Sequence, residues 1–522
     1  MPIISTNQFW NYVINEPLSI IANIKKLLTK RYYDYDLKKD INTIYWQTVS
    51  KFIDENDILY ETIRFPSGLT NFILKNISVV IEYKPFSQHE FDDEEVLNVC
   101  KEVAAINKDF EIREYQIEGA LASLNDFKSL IYASVGSGKS SIMSIVCKCL
   151  MQQNEKILIL NGNNIILSQI AERLESFGIT DISWNPSKEP DYTKQIVILN
   201  IAGSNSRLDK QDKKYIDFLK NDVNTIIYDE AHHLQSITAI EPILYTSPDN
   251  LHHLIGYSGS PFRDKDKPYD NPDDFRTIAI IGEPAFTYEM KTAIKEGSIA
   301  QPYGYFINYK NKEAYVMPQF KDNYFMQYRA NIIYNKERNK AGIEMLKFLN
   351  KYNIKTFVSF NNTKPAQNRM KELKQQGIKS LLICGNETLY EWVSGKRGGL
   401  VLEKRKGSKK EVLKALTEYN YNIIFGTSVL DEGVSIDIFQ AAVLFSAGKT
   451  NIAGIQRLGR ASRKRLKGKN VSFIIDFKDV GGNYIFASQY EKRKKMMIDS
   501  GIKIFNNVID FINFIKEIAE EK

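Results

Sequence analysis

Ala133-Ser134-Val135-Gly136-Ser137-Gly138-Lys139-Ser140 decides how this chain is read. It follows a short apolar run at 130–133 and opens a helical pattern at 140–151. A glycine-rich turn between a strand and a helix is the context that a phosphate-binding loop requires. Gly136 and Gly138 let the backbone turn its N–H groups onto an anion. The helix start near Lys139 adds its positive dipole end. Lys139 is placed to reach β- and γ-phosphates, and the Ser140 hydroxyl to ligate Mg²⁺. Ala133 stands where the general pattern has a first glycine, but the phosphate-facing turn keeps two.

Outward from the loop, short apolar runs recur at 157–160, 196–199, 225–228 and 254–257. Runs of that length, bounded by polar residues or glycine, suit strands buried on both faces of a parallel sheet. Helical segments such as 165–177 separate most of them, which predicts an α/β layout. A second series follows at 356–360, 380–384, 422–425, 441–445 and 471–475, with helical patterns at 336–350 and 364–376 between. The expectation is two successive α/β units, with the Tyr-, Asn- and Phe-rich residues 300–335 as their connection.

The run at 225–228 ends in Asp229-Glu230-Ala231-His232. Side chains at the C-terminal end of such a strand face the ligand crevice of an α/β sheet. Asp229 is placed to hold Mg²⁺ through its water shell. Glu230 is placed to orient and deprotonate an attacking water.

These residues resemble helicase superfamily 2, the Asp-Glu-Ala-His box class of nucleic-acid motors. The resemblance covers about 113–480 and implies tandem RecA-like P-loop domains that use ATP and Mg²⁺. Arg113-Glu114-Tyr115-Gln116 looks like the adenine-reading segment, with Gln116 on the base and Arg113 beside it. Ser258-Gly259-Ser260-Pro261 resembles the segment that couples ATP state to strand grip, a role that His232 shares. Gly426-Thr427-Ser428-Val429-Leu430-Asp431-Glu432-Gly433-Val434 resembles the fifth helicase motif, which implies a strand contact for Thr427 and coupling for Asp431 and Gly433. Gln456-Arg457-Leu458-Gly459-Arg460-Ala461-Ser462-Arg463 matches Gln-x-x-Gly-Arg-x-x-Arg of the sixth. Planar, always-charged guanidinium groups meet phosphate oxygens two at a time. By resemblance, Gln456, Arg460 and Arg463 enter the ATP site from the second unit.

The segments that usually grip the strand depart from the family. Pro then Thr or Ser is common after the run at 157–160, and here Asn161-Gly162-Asn163-Asn164 stands. Thr is usual after 196–199, and here it is Asn200. Asparagine can still donate to phosphate oxygens, so Asn161 and Asn200 remain expected strand contacts.

Within the superfamily the chain resembles phage recombination helicases of the UvsW type. Phe65-Pro66-Ser67-Gly68-Leu69, Gly256-Tyr257-Ser258-Gly259-Ser260, Asn335-Lys336-Glu337-Arg338-Asn339-Lys340 and the stretch 449–463 carry that likeness. It implies remodelling of branched DNA and RNA–DNA hybrids, with 3′ to 5′ movement.

Of 522 residues, 43% are hydrophobic and 25% charged, which excludes a disordered chain, a collagen and a coiled-coil rod. The net charge of +7 is unevenly spread: residues 391–522 carry +9 and residues 1–390 carry −2. Three basic runs lie in that last quarter: Lys396-Arg397 with Lys404-Arg405-Lys406-Gly407-Ser408-Lys409-Lys410, then 463–469, then Lys492-Arg493-Lys494-Lys495. Cations on phosphates release counterions and make binding salt-sensitive. Lys404, Arg405 and Lys406 are therefore candidate nucleic-acid contacts. Tyr390 and Trp392 beside them are candidates either for stacking a base or for core packing.

Cys100, Cys147, Cys149 and Cys384 form neither a zinc pattern nor a disulfide framework, so an intracellular chain with reduced thiols is expected. No apolar run is long enough for a membrane span. The domain expectation is an α+β accessory domain at 1–112, motor domains at 113–300 and 301–480, and a helical tail at 481–522. The accessory domain is expected to hold helical stretches ahead of Phe65, and the acidic run 90–95 to lie on a solvated face or linker. The functional expectation is an ATP-driven motor on forked or branched duplex DNA, monomeric and cytoplasmic, in the host if phage-encoded. A motor subunit of a restriction or defence complex and an ATP-switched binding protein without unwinding are the alternatives.

Overall fold

The computed structural model describes the chain apart from residues 1–2, 7–9, 35–38, 54–58, 78–79, 84–88, 135, 186–187, 248, 264–266, 311–322, 385–387, 396–398, 407–413, 415–417, 420, 427–438, 447–470, 481–482 and 521–522. Two compact units emerge, one built on residues 1–133 and 138–288, the other on 134–137 and 289–522.

In the first unit, seven parallel strands form one sheet. Their spatial order is Ile182–Ser183, Ile196–Asn200, Ile157–Asn161, Thr225–Asp229, His253–Ser258, Lys128–Ala133, Pro284–Tyr288. All five expected strands are present. Their side chains are almost wholly buried, as both faces carry helices. The strands that end at the phosphate loop and at Asp229 both border His253–Ser258. Their C-terminal ends thus open on one edge.

The N-terminal region differs from its reading. Residues 10–17, 47–53 and 59–66 are strands of a five-stranded sheet, and among the described residues before Asp93 only Leu18–Leu27 and Thr70–Asn76 are α-helical. Aromatic and β-branched residues suit a half-buried pleated surface better than a helix. The acidic run 90–95 is a helix start. Asp92 caps Asp93–Ile106 in a reciprocal pair with Glu95, and Val96, Val99, Cys100 and Val103 enter the motor core. That core therefore begins ahead of residue 113.

The small sheet docks on helix Pro272–Ile281. Phe65, Leu69, Phe72 and Ile73 pack with Phe275, Ile278 and Ala279. Tyr45 donates to the Pro272 carbonyl at 3.0 Å. At Gly68 the approach is so close that a Cβ would stand 2.2 Å from the Ile278 carbonyl oxygen.

In the second unit the sheet has nine strands, ordered Leu400–Lys406, Thr388–Ser394, Ser380–Cys384, Ile423–Gly426, Thr356–Ser359, Ala441–Leu444, Val471–Phe477, Gln301–Ile307, Lys503–Phe505. All five expected strands are found. Residues 301–307, read as connection, are instead a strand between Val471–Phe477 and Lys503–Phe505. The presumed tail is equally integral: Phe511, Ile515 and Ile518 of helix Val508–Glu520 lie in the core. The hairpin 388–406 is antiparallel and adds the outer two strands. The fold is tandem RecA-like α/β domains with an α+β accessory region. Cys100, Cys147, Cys149 and Cys384 are thiols rather than disulfides. Among the described residues, no helix is long and apolar enough to cross a membrane.

Candidate functional site

The phosphate loop is held by its own short bonds. The Ser134 carbonyl accepts from the Ser137 amide at 3.1 Å and the Ser137 hydroxyl at 2.6 Å. Gly136 and Gly138 take φ of 88° and 92°, the left-handed region that glycine occupies without strain. Lys139 and Ser140 then open helix Lys139–Gln152. A Cβ on Gly138 would lie 3.0 Å from Gln116 Nε2, so the glycine also makes room for that glutamine.

Gln116 is buried in the first turn of helix Glu114–Leu124. Its Oε1 has no hydrogen-bond partner among the described residues. Arg113 meets Glu111 at 2.9 Å and the Tyr115 hydroxyl at 3.3 Å. Tyr115 stacks on Tyr288 at 3.9 Å between ring centroids, anchoring that helix to the strand beside the loop strand. Tyr288 was not singled out from sequence, because its strand begins with proline and carries no long apolar run.

Asp229 ends its strand, and Glu230 turns away from it with φ of 56°. A non-glycine residue in that region stores strain, which persists only where the surroundings enforce it. The kink sends the two acids in different directions. Burial, then the neighbouring Glu230 charge, pushes the Asp229 carboxyl above its usual range. Burial also opposes ionisation of Glu230, but the Lys139 ammonium, His232 and His233 outweigh it and hold that carboxyl low. Lys139, Asp229 and Glu230 thus form one electrostatic group.

His232 completes it. Its Nδ1 lies 3.3 Å from Glu230 Oε2 and 3.1 Å from the Ser258 hydroxyl. Ser258 Oγ in turn accepts from the Ser260 amide at 3.2 Å. The chain from Glu230 through His232 to Ser258 and Ser260 therefore connects both expected coupling segments within the first unit.

Glu230 Oε2, Ser134 Oγ and Ser260 Oγ are also buried without an aligned hydrogen-bond partner. Buried polar groups are normally satisfied, so these orphaned atoms fit a polar ligand. The donor set suits a nucleoside triphosphate with a hard divalent cation: loop amides and Lys139 for phosphates, Ser140 and Asp229 for the metal, Gln116 and Arg113 for the base.

Other expected residues are placed differently. Asn161 is 1% exposed, and its amide donates to the Asp229 carbonyl at 3.0 Å rather than pointing outward. Asn200 caps helix Ile201–Asp209 and binds the Gly162 carbonyl and Asn164. Lys404, Arg405 and Lys406 are exposed on the outermost strand of the second sheet. Trp392 is occupied structurally: its indole donates to the Gln367 carbonyl at 2.9 Å, and it packs with Tyr390 against the core. Arg493, read as part of a basic run, is buried against Asp476 at 2.7 Å and Asp479 at 2.9 Å. Arg338 of the 335–340 motif is likewise buried, on Asp479 at 2.9 Å. Thr427, Asp431, Gly433, Gln456, Arg460 and Arg463, and the runs 396–397, 407–410 and 463–469, lie outside the described residues or largely so.

The family model described as "Type III restriction enzyme, res subunit" matches residues 109–263. "Putative helicase 22" of Sulfolobus islandicus filamentous virus (isolate Iceland/Hveragerdi) is 24% identical over 482 residues, 87% of this chain and 76% of that protein. "DNA 3'-5' translocase XPB2" of Sulfurisphaera tokodaii is 22% identical over 405 residues, covering 74% of this chain and 86% of the relative. The structure of S. cerevisiae Dbp5 bound to RNA and ADP BeF3 aligns with a TM-score of 0.53 at 14% identity, over 81% of this chain and 97% of that one.

Proposed function

We propose that the chain is a superfamily 2 ATP-dependent helicase, which spends ATP hydrolysis on moving along DNA and on unwinding or branch-migrating forks, Holliday junctions and R-loops in recombination, replication or repair. The observation that carries the reading is Glu230 at its kink, held charged against its burial chiefly by Lys139, with its Oε2 3.3 Å from the His232 ring that contacts Ser258. A carboxylate held charged beside a phosphate loop is suited to accept the proton of an attacking water. Lys139 offsets charge on the transferred phosphoryl group. Magnesium, when bound at Ser140 and Asp229, supplies further neutralisation of phosphate oxygens. Arg460 and Arg463 are proposed to complete the site from the second domain, an arrangement worth roughly 10³–10⁵ in rate where an arginine finger acts.

Loss of the γ-phosphate alters what Glu230 faces, and His232 passes that change to Ser258 and Ser260. Strand affinity then differs between nucleotide states, so each cycle can advance the protein. The N-terminal sheet is proposed to bind duplex or junction, and Lys404, Arg405 and Lys406 to follow a phosphate backbone. A monomer working in the cytoplasm, of the host if the chain is viral, fits this reading. DNA as the track is supported by the XPB2 relative's description as a DNA translocase. Forked substrates and the UvsW-type role rest on the sequence likeness.

A second reading follows from the restriction-subunit family model: a motor within a restriction or defence complex. One experiment separates these. ATPase stimulation and strand displacement are measured on single strand, duplex, fork, four-way junction and RNA–DNA hybrid. Preferential stimulation and displacement on fork, junction or hybrid supports the remodelling role. Hydrolysis stimulated equally by plain duplex, without displacement, supports the translocating subunit. ATP-dependent binding with nothing displaced on any substrate supports a switch instead.

A further inference from the structure

Asn161 ends the strand beside Asp229 and is buried at the metal-side edge of the first sheet. A polar side chain at such a position needs partners on both its atoms. Here the partners fix its orientation. The Asn163 amide donates to Oδ1 at 2.7 Å, so Oδ1 is the acceptor. Nδ2 is then turned to Asp229, 3.0 Å from the carbonyl oxygen and 3.4 Å from carboxylate Oδ2. The same loop is held from outside. Asn200 Nδ2 donates to the Gly162 carbonyl at 2.9 Å and to Asn164 Oδ1 at 3.0 Å, while its own Oδ1 accepts from the Ala202 amide at 2.9 Å. A polar path therefore runs from Asn200 through the loop 162–164 and Asn161 to the carboxylate of Asp229.

We propose that Asn161 is a positioning residue for the metal carboxylate Asp229, and that a DNA strand bound at the loop Gly162–Asn164 and Asn200 alters the set of that carboxylate through it. The inference rests on the reading of Asp229 as the magnesium ligand of an ATP site. Groups that orient a ligating carboxylate typically cost 10- to 100-fold in metal affinity when removed. Asn161→Leu keeps similar bulk and deletes all three hydrogen bonds.

The test is magnesium titration of a fluorescent ATP analogue bound to the full chain, with and without single-stranded DNA. In the wild type, DNA is expected to lower the magnesium midpoint. In Asn161→Leu the midpoint is expected to rise about tenfold, the DNA effect to vanish, and analogue affinity without magnesium to change less than about twofold. A midpoint within about twofold of wild type, still moved by DNA, overturns the proposal. If melting shows that Asn161→Leu is unfolded, Asn161→Ser and Asn200→Ala carry the same two readouts, and both leaving the DNA effect intact overturns it. A wild type that shows no magnesium-dependent binding of the analogue at all sinks the ATP-site reading itself, a different failure.

Discussion

His232 Nδ1 and Ser258 Oγ lie 3.1 Å apart, joining the turn after strand Thr225–Asp229 to the end of its neighbour. The bond is buried, and His232 Nδ1 also lies 3.3 Å from Glu230 Oε2. Removing it should damage transmission more than hydrolysis. Ser258→Ala is expected to keep DNA-stimulated ATPase within a few-fold and to lower strand displacement by about tenfold or more, the size of one lost buried hydrogen bond of roughly 1.4 kcal/mol. Paired ATPase and displacement assays read the split. Parallel losses in both would place Ser258 in the chemistry.

Glu230→Gln should retain ATP binding and lose hydrolysis by about 10²–10⁴, the contribution of a positioned general base. Lys139→Ala should lose nucleotide binding as well. Stimulated ATPase at the wild-type level in either variant would remove the site assignment.

Far from this edge, Glu155 sits 3.1 Å from His252 Nδ1 and 3.6 Å from His253 Nε2, with the Thr225 hydroxyl donating to its other oxygen. Burial would raise its carboxyl, but His252, His253 and Thr225 outweigh that and hold it at about 2. A folded-state value below the unfolded one contributes stability that is complete above about pH 4.5 and fades as pH falls toward 2. The gap in denaturant stability between wild type and Glu155→Gln should therefore be on the order of 3 kcal/mol at pH 7, and shrink at pH 3. A gap that is constant or wider in acid contradicts the assignment.

Replacing Lys404, Arg405 and Lys406 with glutamine should weaken DNA binding. It should also reduce the slope of log affinity against log salt by up to about 2–3, at roughly 0.7–0.9 per phosphate contact. An unchanged slope would mean that these cations only keep an exposed sheet edge soluble.

Gly68→Ala forces a methyl group onto the backbone of helix Pro272–Ile281, which cannot retreat as a side chain can. Overpacking of this kind costs about 1–3 kcal/mol. Limited proteolysis should release the N-terminal region from the variant at a protease dose that leaves the wild type whole.

The central strands were legible because parallel strands buried on both faces read as plain apolar runs, and the phosphate loop because its spacing follows from backbone geometry. Residues 400–406 escaped notice because four of the seven are charged, and an edge strand needs no apolar pattern. Gln301–Ile307 was hidden by two tyrosines and a glycine, although it is covered on both edges. Asn161 misled in the opposite direction. An asparagine at a strand end reads as a surface donor, and only the neighbouring strand shows that its partner is Asp229. Arg493 was taken for surface charge because Asp476 and Asp479 neutralise it from 14 to 17 residues away in sequence.

The strand Gln301–Ile307 has a bearing on the order in which the protein is made. Its sheet neighbours begin 170 and 202 residues later, at Val471 and Lys503. At about 5–20 residues per second, a ribosome delivers the first of these roughly 10–30 s after the strand itself. The sheet of residues 3–83 and the parallel sheet that ends at Tyr288 have by then emerged complete. The first unit's sheets can thus pair while residues 301–307 still wait for both of their neighbours, and a nascent-chain chaperone would find an apolar client in residues 301–307.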